Sequence, residues 1–453
     1  MHEERLQKID KEVIWHPFTQ MADWIAEDQV IIERGEGHYL IDVAGRRYLD
    51  GVSSLWVNLF GHRRREIDEA IKSQLDKIGH STFLGLTHVT ALEYAERLIS
   101  KVPERTSRIF FSDNGSTSME IAIKMAFQYW KQKDGGNSKK RNRFLTLTGA
   151  YHGDTIGSVS AGGIDLFHHI FSPLLFKTDK VPSPYCYRCP YGMNREECGL
   201  YCAEVLRERL IQGREEIGTV VVEPIVQGAA GIIVHPEGFL KRVEEAVREV
   251  GALLIVDEVA TGFGRTGRMF AVEHEDVQPD IMALSKGITG GYLPLAVTLT
   301  SEEIYRVFLG RYDEFKTFFH GHSYTGNPLG CAAAIAALDI FEKENLLSHV
   351  KNISSYLADR LQEFEGKEHV GDIRQRGLMV GIELVEDRSS KRSFSPSLKV
   401  GQQVTRKARE GGLIIRPLGD TIVLMPPLTV TEDEIGILVD VTSRAMDSVF
   451  KEI

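Results

Sequence analysis

The 453-residue chain has no long hydrophobic run. Its apolar stretches, such as ALLIV at 252–256, fall far short of the roughly 20 residues a spanning helix needs, so no membrane partner is expected. An excess of positive charge is also missing. Lys and Arg total 54 against 64 Asp and Glu, a formal net charge of −10. With no long basic stretch, nucleic acid is not expected as a partner. The densest basic run, SKKRNR at 138–143, sits in Gly, Asn and Ser company and reads as a solvated turn. The opening MHEERLQKIDKEV lacks an apolar signal core, which predicts a reducing, cytoplasmic setting. Internal repeats and low-complexity segments are absent as well. The composition is 42% hydrophobic and 26% charged, which excludes a largely disordered chain.

Short aliphatic runs alternate with helical patterns through the middle. RIFFS (108–112), RFLTLTG (143–149), TVVVEPI (219–225), ALLIVDE (252–258) and DIMALSK (280–286) are continuous apolar runs, as suits strands buried on both faces of a parallel sheet. Helical stretches from Thr117 to Gln132 and at 241–250 supply crossovers. The reading is α/β, with a mostly parallel central sheet flanked by helices. The ends differ: 30–50 reads as a β-meander, 329–365 as helix, and 369–453 as mixed strand and helix. The expected division is residues 1–60 as the N-terminal part of a small α+β domain, 61–330 as a large domain, and 331–453 as the rest of the small one.

Candidate chemistry starts at two strand ends. Asp257 closes one apolar run and Lys286 another, and ligands of open parallel sheets sit beyond the carboxyl ends of the strands. Alone, Asp257 reads as a turn carboxylate and Lys286 as a solvated cation. Together they match what pyridoxal phosphate requires: an amine to hold its aldehyde and a carboxylate to keep its ring nitrogen protonated. SDNGSTSME at 112–120 adds a turn and helix start whose Gly115, Ser116 and Thr117 N–H groups would face an anion, with Thr117 and Glu120 at capping-box spacing. GFGRTG at 262–267 matches a dinucleotide fingerprint by letter only, because no long helical period follows it.

With DEVATGFGRTG (257–267), SKGITGG (285–291), GAYHGDT (149–155) and EPIVQGAAG (223–231) in view, the chain resembles the class III aminotransferases of the fold-type I pyridoxal-phosphate group over nearly its whole length. WHPFTQM (15–21), DGVSSLW (50–56), KMAFQYW (124–130), HGHSYTGNPLG (320–330) and RPLGDTIVLMPP (416–427) resemble the biotin-pathway branch, the 7,8-diaminononanoate synthases, which aminate 8-amino-7-oxononanoate. The resemblance implies ping-pong transfer between a small-molecule amino donor and a keto-acid acceptor. It implies that Lys286 holds the cofactor covalently and shuttles the proton, that Asp257 faces the ring nitrogen, and that Tyr151 and Val259 cover the two ring faces. Gly115 and Ser116 would bind the phosphate, and Gln227 would lie near the ring hydroxyl. His322 and Ser323 would reach the partner subunit's phosphate, making a homodimer with shared sites. Leu55, Tyr151, Lys286, Gly321 and Arg416 would meet substrate, Arg416 through its carboxylate tail.

Two departures matter. Branch members that use S-adenosylmethionine carry Tyr and Trp where this chain has Phe18 and Leu55, so a resemblance to the lysine-using Bacillus type is expected. The second is Cys186, Cys189, Cys198 and Cys202, four of the chain's 5 cysteines, with metal-ligand spacing. A structural zinc or iron–sulfur knot is one reading; reduced thiols or disulfides are the other. His168-His169 and His320/His322 read as ordinary loop histidines. The competing functions are an ω-amino-acid:pyruvate or 4-aminobutyrate-type transaminase, and a cofactor-binding regulatory protein without turnover.

Overall fold

A computed structural model describes residues 2–136 and 140–453; Ser138 and Lys139 of the basic run lie outside the described residues. Near the N-terminus β1 (Ile32–Glu36), β2 (Tyr39–Asp42) and β3 (Arg47–Asp50) form the expected antiparallel meander. Asp42 closes its second turn by accepting from the N–H groups of Ala44 and Arg46 at 3.0 and 2.9 Å.

The central sheet is built from β4 (Thr106–Ser112), β5 (Arg143–Leu147), β6 (Asp179–Val181), β7 (Ile217–Val222), β8 (Leu253–Asp257), β9 (Ile281–Leu284) and β10 (Ala296–Ser301). Their spatial order is β4-β10-β9-β8-β7-β5-β6. Only β10 runs against the others, pairing antiparallel with both β9 and β4. Alternate residues face opposite layers. Val220, Val222, Leu254 and Val256 join one core with Phe239, Leu240, Val243 and Val247. Val221, Ile255, Ile281 and Ala283 join another with Met119, Ile121 and Ala122. The second core belongs to helix α1 (Gly115–Gln132), the first to α2 (Phe239–Val250). Each such buried aliphatic side chain contributes about 1.5–3 kcal/mol, which is why the apolar runs had to become the inner strands. Helix α2 stops at Gly251, whose φ of +63° is the left-handed cap that glycine supplies.

The C-terminal part comprises α3 (Pro328–Lys343), α4 (Leu346–Leu361), β11 (Val370–Arg376), β12 (Met379–Leu384), β13 (Leu413–Ile414), β14 (Arg416–Leu418), β15 (Thr421–Leu424) and α5 (Glu432–Phe450). Four of its strands make a sheet in the order β11-β12-β15-β14. The remaining strand, β13, instead pairs parallel with β3. Met425 N donates to Gly51 O at 2.8 Å and Leu428 N to Leu59 O at 2.7 Å. The smaller α+β part therefore draws on both ends of the chain. No helix among the described residues is long and apolar enough to cross a membrane.

Candidate active site

Strands β4, β5, β7, β8 and β9 point the same way, so the segments that follow them gather on one edge of the sheet. They enclose a cavity of about 690 Å³ lined by Gly115, Ser116, Tyr151, Asp257, Val259 and Lys286. Six residues picked from sequence thus come together.

Asp257 is buried at the end of β8. Its Oδ1 accepts from Val259 N at 3.0 Å and its Oδ2 bonds His152 Nδ1 at 2.8 Å. Burial works against a charged His152 ring, but the bond to Asp257 and its charge outweigh it and raise the imidazole pKa. The pair fixes a carboxyl group at the cavity wall, where it could face a ring nitrogen. Lys286 follows β9 with a φ of +47°, unusual for a residue with a side chain. Burial lowers its pKa, against the opposing charges of Asp257 and Glu223. Its Nζ sits 4.8 Å from the centroid of the Trp56 ring. A lysine with a lowered pKa spends more time as the free amine that attacks a carbonyl.

Glu223 and His152 line the same cavity and were not singled out from sequence. Glu223 follows β7. Its Oε1 accepts from Tyr151 N at 3.1 Å and its Oε2 from Gly228 N at 2.9 Å. Burial pushes its carboxyl up to about 7. Gly228 lies against Trp56: a Cβ there would come within 3.2 Å of the indole. One carboxyl group therefore ties Tyr151 to the wall that carries Trp56. The EP dipeptide after an apolar run was the available signal; its neighbour Tyr151 could only be seen in three dimensions.

The anion-facing turn lies at the start of α1. Asn114, not Thr117, is the N-cap: Asn114 Oδ1 accepts from Thr117 N at 3.0 Å and Thr117 Oγ1 from Asn114 N at 3.1 Å. Thr117 N–H is thereby occupied, which corrects the expectation that it faces an anion. Gly115 and Ser116 remain. Glu120 is no capping residue either; it accepts from Thr155 Oγ1 at 2.8 Å and from Ser158 N at 3.1 Å. A Cβ on Gly115 would stand 2.5 Å from Val259 Cγ1, and one on Gly153 2.3 Å from Ser116 Oγ. The cradle is open only because both residues lack a side chain. An N–H cradle, a carboxylate–imidazole pair and an amine fit the phosphate, ring nitrogen and aldehyde of pyridoxal phosphate.

The other sequence candidates lie outside the cavity lining. Gln227 is fully buried, and its amide is engaged by Thr148 O and Ser183 Oγ. Leu55 is half exposed. Arg416 is half-buried near Tyr151; burial lowers its pKa, opposed by Tyr151. Gly321, His322 and Ser323 line a separate cleft with Phe83 and Phe319.

The expected metal knot is not supported. Cys186, Cys189, Cys198 and Cys202 border one small pocket and are free thiols. Among the described residues no group of three or more His, Cys, Asp or Glu is placed to hold a metal ion. Ordinary polar contacts pin the insertion instead. Arg188 Nε donates to Glu383 Oε1 at 2.6 Å, Tyr185 hydroxyl also bonds Glu383, and Lys391 Nζ donates to Tyr187 O at 2.6 Å. The buried carboxylate of Glu383, which also accepts from Arg374 Nη1 at 2.5 Å, does the anchoring a metal would otherwise do.

The chain matches the family described as aminotransferase class-III over residues 21–446. It belongs to the class III aminotransferases, which are pyridoxal-phosphate-dependent transaminases acting on small amino donors and keto-acid acceptors. It is 50% identical over 445 residues, 98% of each chain, to the adenosylmethionine-8-amino-7-oxononanoate aminotransferase of Geobacter sulfurreducens. A protein of the same name from Staphylococcus aureus is 47% identical, with 98% of each chain covered. Among solved structures, the adenosylmethionine-8-amino-7-oxononanoate aminotransferase of Methanocaldococcus jannaschii superposes with a TM-score of 0.94 at 45% identity, covering 98% of this chain and 99% of that one. An (S)-enantioselective omega-transaminase from Thermomicrobium roseum reaches 0.93 at 36% identity, covering 98% of each.

Filling the cradle gives a direct check. Gly115→Ala is expected to weaken cofactor binding at least about tenfold, because the new methyl competes with Val259 for space. Equilibrium dialysis against pyridoxal phosphate measures it; unchanged affinity would remove the cradle from the phosphate site.

Proposed function

We propose that the chain is the biotin-pathway transaminase that converts 8-amino-7-oxononanoate to 7,8-diaminononanoate, with lysine as amino donor, in the cytoplasm. Full-length similarity to proteins of that name supports the acceptor. The structural observation that supports it most is Arg416: half-buried beside Tyr151, its guanidinium has no carboxylate within ion-pair distance among the described residues. A planar two-donor cation left unpaired beside the cavity suits a substrate with a distant carboxylate.

When bound, pyridoxal phosphate supplies a carbonyl that condenses with amines and a ring that draws electrons from the bond being broken. The chain does the rest. Asp257, held by His152, would face the ring nitrogen and keep a proton on it. Lys286 would hold the cofactor through its amine and, as free base, would carry the proton to and from the substrate carbon. Tyr151 and Val259 hold the ring plane, with Glu223 fixing Tyr151 through its backbone. The Asn114-capped turn holds the phosphate end.

Lysine is favoured because Phe18 lacks a hydroxyl and Leu55 an indole, the groups that would receive a sulfonium donor. The holoenzyme is mixed separately with lysine and with S-adenosylmethionine, its absorption is followed, and 8-amino-7-oxononanoate is then added. Conversion by lysine, reversed by the keto acid, is expected. Conversion by S-adenosylmethionine alone would overturn the donor and keep the pathway. A response only to 4-aminobutyrate or another ω-amino acid would favour the general ω-transaminase, a reading that the likeness to such structures supports.

The complete site is proposed to need two copies. Gly321, His322 and Ser323 stand away from their own chain's cavity, on a segment that exposes Phe315, Phe319 and Tyr324. A second copy covering that segment would place them at its phosphate, and sedimentation should give a two-chain mass. Division of the chain near residues 60 and 330 completes the proposal.

A further inference from the structure

The turn that resembles a dinucleotide fingerprint without being one borders another cleft, whose lining shares no residue with that of the Lys286 cavity. The cleft has a volume of about 550 Å³ and lies between the 266–268 turn, the first half of α4 and the end of β11. Three cations line it: Arg268, Lys351 and Arg376. None of them has a carboxylate within ion-pair distance among the described residues, although the chain as a whole is acidic. Its one carboxylate, Glu273, turns Oε1 back to accept from Phe270 N at 2.8 Å.

Arg376 is the informative member. Its Nη2 donates to His274 Nδ1 at 2.6 Å, and its Nε is buried without a partner. His274 Nε2 lies 3.0 Å from Thr266 O and from Thr266 Oγ1. With Nδ1 accepting from Arg376 and Nε2 donating to Thr266, the imidazole is neutral. Burial, then the charges of Arg376 and Arg268, lower its pKa to about 4. The guanidinium thus leans on an uncharged ring, and among the described residues no carboxylate lies within ion-pair distance of it. Partly buried guanidinium groups are normally paired with an anion. The hydroxyls of Ser348 and Ser355 border the same cleft, their hydrogens donated to Asn345 Oδ1 at 3.1 Å and to Lys351 O at 3.2 Å.

We propose that this cleft is a second ligand site, for a multiply charged oxyanion of the phosphate class, free or carried on a small metabolite. Arg376 would grip it, and Arg268 and Lys351 would flank it. The site is independent of the proposed substrate and donor.

The test uses the holoenzyme, whose cofactor already fills the active-site phosphate cradle. Inorganic phosphate and glycerol phosphate are titrated separately by calorimetry at fixed ionic strength, into wild type, Lys351→Gln and Arg376→Gln. Saturable binding in wild type is expected, weakened at least about fivefold by each variant, since each loses one charge-assisted contact. Tighter binding of glycerol phosphate would point to a metabolite, and equal or weaker binding to the free ion. Lys351 is exposed and its side chain carries no internal hydrogen bond among the described residues, so its variant tests the site even if Arg376→Gln fails to fold. Absence of saturable binding, or equal affinity in wild type and Lys351→Gln, as binding at Arg416 would give, overturns the proposal.

Discussion

Lys286→Ala is expected to lower turnover by about 10⁴-fold or more, the largest effect of any single change in this chain. Two functions leave with one amine. The covalent hold on the cofactor is lost, and so is the base that moves the proton at the donor carbon. The fold should survive, because the side chain ends in the cavity against the Trp56 ring and makes no hydrogen bond that the sheet depends on. Borohydride should trap cofactor on the wild-type chain and none on the variant. Added methylamine should restore part of the proton transfer, since it replaces the amine but not its position. Residual turnover within about a hundredfold of wild type would mean that another group carries the proton.

Asp257→Asn comes second, with an expected loss of about 10²–10³-fold in kcat, comparable to losing one preorganised electrostatic partner. The substitution keeps shape and can keep the 2.8 Å contact with His152, so it isolates charge. A neutral amide no longer holds a proton on the ring nitrogen, and the carbanion that Lys286 generates is less well stabilised. Its KM should move far less than its kcat. The same variant should lower the His152 pKa, because the carboxylate is what raises it against burial. Ring-proton titration by NMR measures that shift; an unchanged His152 with a lost kcat would point to distortion rather than charge.

The central strands were legible because burial on both faces demands unbroken apolar runs, and β5, β7, β8 and β9 lie where those runs stand. Asp257 and Lys286 followed from them, being the residues at which two runs stop. β10 was passed over: AVTLTS at 296–301 alternates no more clearly than its neighbours, and its antiparallel direction depends on pairing, not on composition. The helix cap was misplaced by three residues because two cap patterns overlap. Asn114 with Thr117 competes with Thr117 with Glu120, and Glu120 is drawn away to Thr155 and Ser158. His152 and Glu223 escaped notice because their roles come from their neighbours. His152 acts by holding Asp257, and Glu223 acts through two backbone N–H groups. The cysteine spacing read as a ligand set; spacing does not reveal that Glu383, nearly two hundred residues away, anchors the insertion.

The pairing of β13 with β3 sets an order of events during synthesis. The meander emerges from the ribosome first, yet the edge of β3 is closed only by Leu413 and Ile414. At roughly 5–20 residues per second that wait is on the order of tens of seconds, during which an unpaired strand edge stands open. The large sheet can assemble meanwhile, since all its strands lie between residues 106 and 301. A nascent chain stalled before residue 413 would therefore be a finished centre with a ragged beginning, a natural client for a chaperone that recognises exposed strand edges. A late stretch of the chain completes an early one.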